Sequence, residues 1–156
     1  MKKIIFSSII VVAALLQATL IENVRIFSVK PDLLLICLVL ASLIFDFKWA
    51  FVFGISCGFL KDCFSASAFG LNTVLFALWC VLIIELSRKV TLDYVFTKVA
   101  LLFIVSIIHN IALGLTLVYL GNFIPFGIFF RNCLMSAVCT TLFLPLIFQV
   151  TDPIYS

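Results

Sequence analysis

Charge is what this sequence has least of. Of its 156 residues only 11% are Asp, Glu, Lys or Arg, whereas soluble domains carry about a quarter. With 65% hydrophobic residues, the chain cannot give each helix the polar face that water demands, so lipid must solvate most of it. The 10 Lys plus Arg against 7 Asp plus Glu leave a net charge of +3, scattered at the edges of apolar runs, which excludes a nucleic-acid surface. Histidine is reduced to His109 alone. The six cysteines, Cys37, Cys57, Cys63, Cys80, Cys133 and Cys139, lie in or beside apolar runs without a C-x-x-C pair, so neither a zinc site nor a disulfide framework is expected. They read as small apolar packing residues. Also missing are H-E-x-x-H and any phosphate-cradling glycine loop, and Gly54-Ile55-Ser56-Cys57-Gly58, although it has the G-x-S-x-G spacing, lies inside an apolar run and not at a strand-to-helix turn. No catalytic residue, cofactor or metal is therefore predicted, and the chain reads as a non-enzyme. Six spanning helices would take about 120 residues and leave about 36 for loops, too few for a soluble catalytic domain.

What is present is a series of apolar runs. They predict an all-α polytopic membrane protein, one integral membrane domain over 1–156, with helices at about 4–21, 33–45, 49–60, 69–86, 99–120 and 126–150. Lys2 and Lys3 before an apolar run suggest a signal peptide, but the run continues to Ile21 and no A-x-A pattern follows, so a retained first helix is expected. Pro31 and Asp32 suit the first turn of the second helix, the proline by its fixed φ and the carboxylate by the positive end of the helix dipole.

The second and third runs hold only 13 and 12 residues, separated by Asp46, Phe47 and Lys48. Each is short for a hydrocarbon core of about 30 Å. Two short spans, a re-entrant hairpin, or one long span burying Asp46 and Lys48 all remain open at this level. With two spans, Lys2, Lys3, Lys48, Arg88, Lys89 and Lys98 share one side, against Arg25, Lys30, Lys61 and Arg131 on the other. The positive-inside rule favours this arrangement, or the hairpin, over the single long span and places both termini in the cytoplasm. Glu85 and Lys89, four apart, are placed to pair at the cytoplasmic boundary, and Tyr94 to anchor an interfacial turn. Pro145 is expected to kink the sixth helix.

Two constellations stand out. Gly54, Gly58 and Asp62 recur at a spacing of four, so Gly54 and Gly58 form a G-x-x-x-G face that admits a close helix, either within the bundle or on another chain, including a second copy. Lys61 and Asp62 mark the outer boundary, where Asp62 is expected to cap or hydrogen-bond a neighbouring helix. His109 and Asn110 lie mid-way along the fifth helix, about 16 Å from its ends at a 1.5 Å rise, and Ser106 shares the His109 face. Polar groups at that depth face the bundle interior or a cavity. An interhelical hydrogen bond is the expected role, since no second histidine or mid-membrane carboxylate offers a relay partner. Arg131 is expected to snorkel, the other reading being a pair with Asp62.

The run Lys30-Pro31-Asp32-Leu33-Leu34-Leu35, then Gly54 through Asp62 (GISCGFLKD), then Phe69-Gly70-Leu71-Asn72, resembles the bacterial rod shape-determining protein MreD family over about residues 30 to 80. The resemblance implies a multi-pass protein of the bacterial inner membrane and a non-enzymatic scaffold of the cell-elongation machinery. Such a scaffold binds the single-span periplasmic protein MreC and thereby connects MreB filaments to the peptidoglycan synthases. It also implies a compact six-helix bundle with short second and third helices, similar to the S-component fold of energy-coupling-factor vitamin transporters. A substrate-binding S component is accordingly the alternative, with His109, Asn110, Arg131 and Asn132 as candidate cavity residues. Pro31, Asp32, Gly54, Gly58, Asp62 and Gly70 are the candidates for helix packing or a partner interface.

Overall fold

The computed structural model describes residues 2–23, 31–64, 69–89, 94–121 and 125–155. Six helices account for nearly all of them: α1 (Lys2–Asn23), α2 (Leu33–Ile44), α3 (Phe47–Phe64), α4 (Leu71–Lys89), α5 (Val95–Tyr119) and α6 (Phe126–Tyr155), with no strand among the described residues. Four of them, α1, α4, α5 and α6, are long and apolar enough to cross a membrane. The fold is therefore a polytopic helical membrane bundle. Arg25 and Lys30 of the sequence reading lie outside the described residues.

The chain reverses between α2 and α3. Asp32, at the start of α2, contacts Lys61, near the end of α3, so the two helices run antiparallel around the break at Phe45 and Asp46. Asp46 and Lys48 are exposed at that break. This overturns the single-long-span reading, which required both charges to be buried. α4 runs back along α3, since Asp62 at the end of α3 bonds Asn72 and Thr73 in the first turn of α4. At the opposite end Lys3 sits over the Trp49 ring, 3.9 Å from its centroid, joining the start of α1 to the start of α3. Phe6, Phe45 and Phe53 pack beside it with ring centroids 5.1–5.2 Å apart.

α2 is the core of the bundle. At a rise of 1.5 Å its 12 residues extend about 18 Å, well short of a bilayer core. Every residue from Leu33 to Ser42 is buried, which is how a helix apolar on all sides must sit. Its start lies level with the middle of α6, because the Asp32 backbone N–H donates to Thr140 Oγ1 at 3.1 Å. α5 and α6 form a separate antiparallel pair laid against this core, joined by Asn110 Nδ2 donating to Ser136 Oγ at 3.3 Å.

α3 is longer than expected. The sequence predicts 49–60, and the helix covers Phe47–Phe64. The charges of Lys61 and Asp62 do not end it, because both find partners inside the bundle. α5 likewise begins at Val95, four residues before the predicted start, with Tyr94 as an exposed N-cap residue. At the end of α4, Glu85 pairs with Arg88 at 3.3 Å instead of the expected Lys89, the i,i+3 geometry being the one realised. Gly70, immediately before α4, has φ +94, a backbone that side-chain-bearing residues rarely adopt, and its carbonyl accepts from Val74 N at 3.1 Å.

Candidate site: a buried polar tie between helices

Asp62 and the start of α4 form the first half of the site. The first turn of a helix leaves backbone N–H groups without intrahelical acceptors, and a carboxylate placed there satisfies them and meets the positive end of the dipole. Asp62 does this from α3. Its Oδ1 accepts from Asn72 N at 3.1 Å and Asn72 Nδ2 at 2.9 Å. Its Oδ2 accepts from Thr73 N at 3.0 Å and Thr73 Oγ1 at 2.6 Å. Asp62 is only 2% exposed, so an unmatched carboxylate there would be costly, and all four bonds go to α4.

The glycine face explains how the helices come close enough. A Cβ on Gly58 would lie 2.6 Å from Thr73 Cα and 3.0 Å from both Thr73 N and Asn72 O. The contact is backbone against backbone, one turn before Asp62, so only glycine lets α4 present its N–H groups to the carboxylate. Gly54, a turn earlier, faces softer neighbours, Leu38 Cδ1 at 3.0 Å and Cys80 Cβ at 3.3 Å from the same built position.

The second half centres on Lys61. Asp32 is the N-cap of α2: its Oδ1 accepts from Leu35 N at 3.2 Å, the usual cap geometry for a helix start. Its Oδ2 accepts from the Lys61 ammonium in an ion pair. The same ammonium lies 2.9 Å from His109 Nε2 of α5, and its distance to the Phe76 ring centroid on α4 is 5.1 Å. An ammonium has only donors, so Nε2 accepts and the ring proton resides on Nδ1. His109 Nε2 is 3.8 Å from Asp32 Oδ2, and the His109 ring lies 5.2 Å from that of Phe76. One cation thus meets groups from α2, α4 and α5. His109 and Phe76 are fully buried, while the side chains of Lys61 and Asp32 keep 14% and 10% exposure.

Two sequence expectations change here, and one alternative reading falls. A carboxylate does stand at His109: Asp32, 77 positions earlier in the chain, is within 3.8 Å. Lys61 is not simply a boundary charge, since its head turns inward onto Asp32 and His109. Arg131 does not pair with Asp62, whose oxygens are taken by α4, and Arg131 is exposed. His109 and Asn110 also part company. His109 faces α3 and α4, whereas Asn110 Nδ2 faces α6 and donates both to Ser136 Oγ and to the Ser106 carbonyl. Ser106 is fully buried on the His109 face, and Pro31 is half-buried beside Asp32. Lys61, Thr73, Phe76 and Thr140 are the site residues that the sequence reading did not connect. For Lys61 the available signal was a lysine next to an aspartate at the end of an apolar run; for the other three nothing local distinguished them.

Taken together, the fold and site define a multi-pass membrane protein, helical throughout its described elements, in which the Asp32, Lys61, Asp62 and His109 side chains are bonded to one another or to a helix terminus. The model of the family described as rod shape-determining protein MreD matches residues 1–152, nearly the whole chain, and the protein belongs to that family. No curated protein and no solved structure matches it. Membership gives the chain a role in determining rod shape and extends the likeness seen around residues 30–80 to both ends of the bundle.

Proposed function

We propose that this protein is a non-enzymatic scaffold of the cell-elongation machinery in the bacterial inner membrane, binding MreC and through it linking MreB filaments to the peptidoglycan synthases. The family match across residues 1–152 supports the process. The observation that carries the scaffold reading is the use made of the embedded charges. Asp62 is saturated by α4, and Asp32, Lys61 and His109 are engaged with each other, so these groups rigidify the bundle. A rigid bundle is what a protein that positions others requires.

In this reading Pro31, Asp32, Gly54, Gly58, Asp62 and Gly70 serve packing within the bundle, as do Ser106, His109 and Asn110, and Arg131 lies at the outer membrane boundary. Partner contacts then fall on the apolar outer surfaces of the bundle. Both termini are cytoplasmic, as the lysines at the N-terminus favour. The test is co-purification with MreC from mild detergent, together with depletion in the native host. Recovery of MreC and loss of rod shape are expected. Retention of rod shape on depletion, or failure to recover MreC from cells that contain both, overturns the proposal.

A further inference from the structure

Without its ammonium, the surroundings of Lys61 have the composition of a cation receptor. One carboxylate oxygen, Asp32 Oδ2, one imidazole lone pair, His109 Nε2, and one aromatic face, Phe76, converge from three different helices. Each is held independently of Lys61. Asp32 is anchored at the N-cap of α2 by Leu35 N and by Thr140 Oγ1 on its own N–H. His109 and Phe76 are fully buried and in ring contact with each other. We propose that Asp32, His109 and Phe76 form an ammonium-binding cage that Lys61 fills as a tethered ligand, and that loss of the Lys61 head opens it to a free primary alkylammonium.

The chemistry selects that class of ligand. A primary ammonium offers three N–H donors for Asp32 and His109 and a positive charge for the Phe76 face. Sodium or calcium would need a shell of several oxygens, whereas here one carboxylate oxygen already serves Leu35 N. A transition metal would find one carboxylate and one imidazole, and among the described residues no group of three or more His, Cys, Asp or Glu side chains could hold a metal ion. A quaternary ammonium has no N–H to give. The path for entry is the one that Lys61 itself takes, where the Lys61 and Asp32 side chains are 14% and 10% exposed.

The experiment uses the full chain in lipid nanodiscs with Lys61→Ala, and n-butylammonium as the probe because it carries a primary ammonium on a short unbranched alkyl chain like the one removed. The expected result is a saturable rise in the Tm of Lys61→Ala, absent in the wild type, absent when Asp32→Asn is added, and not reproduced by n-butanol, tetramethylammonium or sodium. No rise with n-butylammonium, or an equal rise in the wild type, in the double variant or with n-butanol, overturns the cage. If Lys61→Ala does not fold, the same panel is read on the monodisperse yield after purification with each additive. Recovery by n-butylammonium alone supports the cage, and no recovery refutes it.

Discussion

Gly58 and Thr73 are in backbone contact: a Cβ on Gly58 would stand 2.6 Å from Thr73 Cα, inside any tolerable separation. The closeness of α3 and α4 therefore depends on one missing methyl group, and the Asp62 cap one turn further on depends on that closeness.

Gly58→Ala should force α3 and α4 apart and cost about 1–3 kcal/mol, the usual range for overpacking a filled interior. Gly54→Ala should cost less, because its built Cβ meets the Leu38 side-chain end and Cys80 Cβ instead of a backbone. Thermal unfolding of the two variants in one detergent gives the ranking, and an equal or reversed order would rule out the backbone contact.

Asp62→Ala should lose at least about 2 kcal/mol, since it leaves the first N–H groups of α4 without their charged acceptor. Asp62→Asn should fall between Ala and wild type, because one amide oxygen still accepts. Hydrogen exchange at Asn72 and Thr73 should rise in both variants. Unchanged protection at these two amides would show that Asp62 does not cap α4.

Neighbouring His109 and Asn110 should respond differently. Asn110→Ala removes one interhelical hydrogen bond, a kind worth about 0.6 kcal/mol on average in membrane bundles. His109→Ala removes both the Lys61 acceptor and the ring against Phe76, and should cost several times more. Arg131→Gln, at an exposed position, should leave thermal stability unchanged. Comparable losses for His109→Ala and Asn110→Ala would contradict their assignment to different neighbours.

These positions also show what local pattern can reveal. The six apolar runs, the proline and aspartate that open α2, and the glycine spacing on α3 are all periodic or terminal signals, and the helices follow them to within a few residues. The length of α3 is not legible in this way. Lys61 and Asp62 read as a helix end until Asp32, His109, Asn72 and Thr73 supply partners from other helices. The tie around Lys61 is the least legible feature, because its three partners lie 29, 15 and 48 positions away and no local signal joins any of them to Lys61. Only the depth of His109 hinted at it, by requiring a partner without naming one.

The account rests on buried charges acting as ties, and a double-mutant cycle on Asp32 and Lys61 tests that most directly. Thermal unfolding would be followed in nanodiscs for the wild type, Asp32→Asn, Lys61→Met and the double variant. If the pair ties α2 to α3, Lys61→Met should destabilise the wild type more than it destabilises Asp32→Asn, with a coupling of about 1 kcal/mol or more. Additivity to within about 0.5 kcal/mol would contradict the account.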